Sequence, residues 1–106
     1  MKKILIIGAG AIGSAFSVPC LENKNDVSLV GTFLENDLIK SLKEKNNYHP
    51  ALNINLPKYL NIERYDQIGK VIQNEVDVIV AGISSVGIEW FANEISKFYK
   101  KKTSII

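Results

Sequence analysis

At 106 residues the chain has room for one domain and one core, the size of a β-α-β-α-β half and too small to add a substrate-binding domain. Thirteen Lys and Arg against 11 Asp and Glu leave a net charge of +2, which implies no general affinity for polyanions and makes nucleic acid an unexpected partner. One cysteine, Cys20, excludes an internal disulfide, a single histidine, His49, leaves no metal cluster, and the longest apolar run is too short for a membrane span or a signal peptide, so the expected setting is cytoplasmic.

The N-terminal run Ile4-Leu5-Ile6-Ile7 suits a strand buried on both faces, and it breaks into Gly8-Ala9-Gly10-Ala11-Ile12-Gly13. The spacing G-x-G-x-x-G between a strand and a helix is a dinucleotide-binding signature. Gly8 permits the tight bend, Gly10 lets the backbone approach a pyrophosphate, Gly13 lets the helix pack on the strand, and the helix N-terminus supplies unpaired N–H groups. The helix is expected to run from about Ala11 into the low twenties with Ile12, Ala15 and Phe16 toward the sheet, and Pro19 predicts a kink or break near Val18.

Val27 to Val30 reads as the second strand. An Asp or Glu at its end would accept from an adenosine ribose 2′-OH and repel a 2′-phosphate, but this chain continues Gly31-Thr32-Phe33-Leu34-Glu35. The neutral Thr32 tips the expected cofactor toward NADP(H), with NAD(H) as the alternative because Glu35 could fold back. Thr32 could equally do no more than close a turn.

A second helix is expected from about Glu35 to Lys45, with Leu34, Leu38 and Leu42 on one face and Ile39 beside them. Asn46 to Pro57 reads as irregular, and within it His49 reads as a solvated loop side chain, although it is the one residue here suited to acid-base work. Leu60 to Glu63 fits a short edge strand, Tyr65 to Glu75 a short amphipathic helix, and Val76 to Ala81 a central parallel strand.

Gly82 and Ser84 follow that strand, at the end where open α/β sheets bind ligands, though Ser84 and Ser85 also suit a cap for the next helix. Ile88, Phe91, Ile95 and Phe98 form a stripe expected in the core, Trp90 lies off it facing a partner surface, and Lys100-Lys101-Lys102 reads as a solvated C-terminal cap. Thr103 to Ile106 begins a further strand whose unfinished edge could pair with a second copy in a homodimer. The expected fold is therefore α/β, a Rossmann-type parallel sheet with helices on both faces, ending after about five strands.

Taken together, the segments Gly8 to Ala15, Val27 to Gly31, His49-Pro50 to Leu56-Pro57 and Val78 to Ser84 resemble the N-terminal domain of NAD(P)-dependent glycerol-3-phosphate dehydrogenase. The resemblance spans essentially the whole chain and is strongest to the archaeal form, which has a Gly-Thr pair like Gly31-Thr32. It implies hydride transfer between nicotinamide C4 and C2 of sn-glycerol 3-phosphate or dihydroxyacetone phosphate, feeding phospholipid synthesis. It also implies cofactor contacts at Gly8, Gly10, Ala11, Ile12, Gly13 and Thr32, with Ser84 near the nicotinamide. The chain departs from the family pattern at Ile83, where a proline before the serine is common. The family's Thr-Lys-Gly segment and its helical C-terminal substrate domain fall beyond Ile106, so residues 1–106 are expected to form the cofactor half with no catalytic residue and no turnover alone. A ketopantoate reductase-like NADPH-binding domain suits Lys3 to Gly13 nearly as well, and a non-catalytic nucleotide-sensing module is the alternative of another class.

Overall fold

The computed structural model describes residues 1–73, 76–98 and 103–106. Strands β1 (Lys3–Ile7), β2 (Asp26–Val30), β5 (Asn61–Glu63), β6 (Val78–Ala81) and β7 (Ser104–Ile105) form one parallel sheet in the order β5-β2-β1-β6-β7. A separate antiparallel pair, β3 (Tyr48–His49) with β4 (Ile54–Asn55), occupies the segment expected to be irregular. Helices α1 (Ala11–Glu22), α2 (Asn36–Glu44), α3 (Ile68–Ile72) and α4 (Ile88–Phe98) connect the strands. This is the Rossmann-type α/β architecture that the alternation of strand and helix patterns implied.

The sheet's central strand determines the two-sided core. Successive side chains of a strand point to opposite faces, so Ile6 joins the cluster of Leu21, Leu29, Ile39 and Leu42 under α1 and α2, while Leu5 and Ile7 join Ile68, Ile72, Ile79 and Ile95 under α3 and α4. Full burial of each such side chain is worth about 1.5–3 kcal/mol. Chain order reverses across β1: β2 lies on one side and β6 on the other. The crevice at the C-terminal ends of β1, β2 and β6 is thus a topological switch point, where open α/β sheets take ligands.

Several local expectations are corrected. The buried face of α1 is Gly13, Ser14, Ser17, Cys20 and Leu21, whereas Ile12 and Phe16 are 84% and 44% exposed and Ala15 is also exposed. Gly13 sets this phase: it touches the Gly8 carbonyl, and positions four, seven and eight residues later share its side of a helix. Pro19 does not break α1, which runs through it to Glu22. Pro19 and Ala15, whose carbonyl loses its partner, both lie on the exposed side, where water can take that carbonyl. In α2 the buried residues are Ile39 and Leu42, while Leu34 precedes the helix and is 69% exposed. On α4 only Ile95 is fully buried, Phe91 and Phe98 are half-buried, and Ile88 is exposed. The short helix begins as a 3-10 turn over Tyr65–Gln67. Its expected end at Glu75 and the lysine cap at 100–102 lie outside the described residues.

Candidate cofactor-binding site

The glycine turn joins β1 to α1, and its three glycines are held for three different reasons. Gly8 has φ +112°, in the region that favours glycine, and a Cβ there would lie 2.1 Å from the Gly82 carbonyl oxygen. A Cβ on Gly13 would lie 2.2 Å from the Gly8 carbonyl oxygen. Gly10 is different: its backbone is ordinary, with φ −66°, and a Cβ would meet nothing nearer than Glu35 Oε2 at 3.9 Å. The turn is therefore closed on the sheet side at Gly8 and Gly13 and open at Gly10, the arrangement that lets a pyrophosphate approach the backbone.

Gly10 is also the N-cap of α1 and carries no capping side chain. The first-turn amides of Ala11, Ile12 and Gly13 have no intrahelical acceptor, so the helix presents N–H groups and a partial positive charge at the mouth of the turn. The turn is tied to both neighbouring strands, because Gly8 N–H donates to the Val30 carbonyl at 2.8 Å and Gly82 N–H to the Ile7 carbonyl at 2.8 Å. A cleft of about 250 Å³ opens there, lined by Gly10, Thr32, Phe33, Glu35, Gly82 and Ser84 among others. Ser84 stands at the N-cap position of a 3-10 turn over Ser85–Gly87, makes no side-chain capping bond, and faces this cleft.

Ala9, the residue between the first two glycines, is held from both sides. Its carbonyl accepts from His49 Nε2 at 2.8 Å and from Ser14 Oγ at 2.9 Å. A carbonyl can only accept, so Nε2 carries the ring proton. His49 is 1% exposed, which corrects its expected place as a solvated loop side chain and removes it from acid-base work at an open site. The cause is the β3–β4 hairpin, which folds back so that Leu52 and Leu56 join the cluster under α1 and α2 and carry His49 inward. The flanking Leu52 and Leu56 were the sequence signal for this burial.

On the other side, Ala9 N–H donates to Glu35 Oε1 at 3.0 Å, and the same oxygen accepts from Thr32 N–H at 2.8 Å. Glu35 does fold back, and its carboxylate bridges the glycine turn and the end of β2. Thr32 closes the turn leading into α2, since its Oγ1 accepts from Leu34 N–H at 3.3 Å. Trp90 does not face outward to a partner. It packs against Phe33 and Tyr65, with ring centroids 5.6 Å and 6.4 Å away, and so ties α4 to the loop after β2. Burial pushes the Cys20 thiol up from its ordinary pKa, as befits a packed side chain on α1. Among the described residues there is no group of His, Cys, Asp and Glu arranged to hold a metal ion, and no helix is long and apolar enough to cross a membrane.

Residues 3–106 match the family described as NAD-dependent glycerol-3-phosphate dehydrogenase N-terminus. The chain belongs to this family. It is 31% identical over 103 residues to the NADP(+)-dependent glycerol-3-phosphate dehydrogenase of Archaeoglobus fulgidus, covering 97% of this chain and 30% of that enzyme. The solved glycerol-3-phosphate dehydrogenase of Coxiella burnetii superposes with a TM-score of 0.78 at 20% identity, over 98% of this chain and 31% of that one. D-mandelate dehydrogenase, solved with NADH and anilino(oxo)acetate, superposes with a TM-score of 0.74 at 26% identity, over 97% of this chain and 32% of that one. The chain thus spans less than a third of each of these proteins and corresponds to the NAD(P)-binding N-terminal domain of a glycerol-3-phosphate dehydrogenase.

Proposed function

We propose that this chain is the cofactor half of an enzyme that interconverts sn-glycerol 3-phosphate and dihydroxyacetone phosphate, in the cytoplasm, by hydride transfer to or from NAD(P). The observation that carries the reading is the turn closed at Gly8 and Gly13 and open at Gly10, at a sheet switch point, in a chain matching the family over residues 3–106. That match favours glycerol 3-phosphate over the ketopantoate alternative.

In this reading the amides of Ala11, Ile12 and Gly13 hold the pyrophosphate, Gly8 and Gly10 supply the close backbone approach, Thr32 lies at the adenosine ribose, and Gly82 and Ser84 flank the path toward the nicotinamide. The bound cofactor supplies the hydride acceptor or donor. Oxidising the C2 hydroxyl also requires a group to take its proton, and loss of such a general base typically lowers the rate by about 10² to 10⁴. The cleft residues listed above as cofactor contacts include no acid or base for that task, so the substrate-binding half of the enzyme supplies it.

Trp90 is the sole tryptophan and stacks on Phe33 at the cleft, so its fluorescence reports on binding. Adding NADH or NADPH to the 106-residue chain should quench it saturably, while glycerol 3-phosphate with either oxidised cofactor should give no turnover. Absence of saturable quenching by both cofactors would overturn the binding assignment, and robust turnover would overturn the division of labour.

A further inference from the structure

We propose that Glu35 is the cofactor-selecting residue of this domain and that it favours NAD(H) over NADP(H), an inference that rests on the dinucleotide-binding reading above. Folds of this type usually place an acid at the end of the second strand, where it accepts from the ribose hydroxyls and repels a 2′-phosphate. Here that position holds Gly31 and Thr32, and from sequence the acid looks absent.

The structure returns one by another route. Gly31 lacks a side chain, and a Cβ there would lie 2.6 Å from Ile39 Cγ1 and 3.4 Å from Glu35 Cβ, so the start of α2 packs directly on the strand end. The turn closed by Thr32 then brings Glu35 back over it, with Glu35 N–H donating to the Thr32 carbonyl at 3.0 Å. Its Oε1 is fixed by two backbone donors, Ala9 N–H at 3.0 Å and Thr32 N–H at 2.8 Å. Those donors belong to the first half of the glycine turn and to the end of β2, the two walls between which the adenosine ribose sits. Oε2 lies toward the open side of Gly10. One oxygen is thus committed to the backbone and the other remains to accept from a ribose hydroxyl.

No cation offsets this charge for a 2′-phosphate. Among the described residues lining the cleft there is no Lys or Arg, and Lys40, Lys43 and Arg64 line a different hollow together with Asp37 and Glu44. A phosphate arriving within a few ångströms of the carboxylate would be repelled, and the repulsion acts on NADPH and not on NADH.

The test is a fluorescence titration of the 106-residue chain with NADH and with NADPH at matched ionic strength, repeated on Glu35→Gln. Gln keeps the length and an accepting oxygen but removes the charge. The wild-type chain should bind NADH at least about tenfold more tightly than NADPH, and Glu35→Gln should narrow the ratio by about tenfold, mainly through tighter NADPH binding. A second measurement needs no variant: raising the salt from about 0.05 M to about 0.5 M should narrow the wild-type ratio, because it screens a repulsion that only NADPH meets. Equal or tighter wild-type binding of NADPH, or a ratio that neither the substitution nor salt moves, would overturn the assignment. Failure of both cofactors to bind the wild-type chain would instead overturn the dinucleotide-binding reading, and this inference with it.

Discussion

Gly13→Ala sets helix propensity against packing, and the two have opposite signs. In an exposed helix interior Ala is worth about 1 kcal/mol over Gly. At Gly13, however, the new Cβ would lie 2.2 Å from the Gly8 carbonyl oxygen and 3.3 Å from its carbon. A comfortable carbon-to-oxygen contact is about 3.3 Å, so α1 or the turn must shift by roughly 1 Å. Gly8 cannot yield freely, because its N–H is bonded to Val30 and its own missing Cβ faces the Gly82 carbonyl. Overpacking costs about 1–3 kcal/mol in ordinary cores, and here the obstacle is backbone, so the upper part of that range applies. We expect a net loss of about 1–2 kcal/mol and a melting temperature lower by about 5–15 °C, read by urea and thermal denaturation. Gly10→Ala is the companion. Its Cβ meets only Glu35 Oε2 at 3.9 Å, so stability should hold within a few tenths of a kcal/mol while NADH affinity falls at least about tenfold. A Gly13→Ala protein as stable as the wild type would refute the packing argument.

Three further outcomes are expected. His49→Ala should cost about 2–4 kcal/mol in urea denaturation, since it empties a buried site and leaves the Ala9 carbonyl with Ser14 alone, and it should also weaken NADH binding through the displaced turn. Trp90→Ala should cost about 1–3 kcal/mol by thermal denaturation, because the ring bridges Phe33 and Tyr65. Cys20 should react with iodoacetamide at least about tenfold more slowly in the folded chain than in urea at about pH 8. The sign follows from its raised pKa: the stability contributed by the neutral thiol is present below the unfolded value near 8.5 and is lost as pH rises through the folded value.

The fold was legible because its strongest signals are local and periodic. Four aliphatics before a glycine motif, apolar residues over Val27–Val30 and Val76–Ala81, and helical spacing between them leave few arrangements other than a parallel sheet wound on both sides. Which face each helix buries was less legible. In α1 the apolar residues Ile12 and Phe16 point outward, since a contact between two glycines, invisible to any hydrophobic pattern, sets the rotation of the helix. His49 and Trp90 were misplaced for a related reason. Each is positioned by a partner distant in sequence, the Ala9 carbonyl for one and Phe33 for the other, and a single chain read locally carries no record of such pairs.

The site itself shows a division between what binds and what holds. The regular elements β1, α1, β2 and β6 deliver Gly8, Gly10, Gly13 and Gly82 to one crevice, but glycines have no side chains with which to fix their own geometry. The holding is done at Ala9, whose N–H is taken by Glu35 from the loop before α2 and whose carbonyl is taken by His49 from the β3–β4 hairpin and by Ser14 from α1. An Ala9 peptide bonded on both faces cannot flip without breaking three hydrogen bonds, each worth about 0.5–1.5 kcal/mol and more where burial would leave a partner unpaired. That is enough to keep the open Gly10 corner in one conformation before any ligand arrives. The least regular part of the chain, Asn46 to Pro57, thereby acquires a physical task in cofactor binding: it brings the one histidine to the back of the glycine turn.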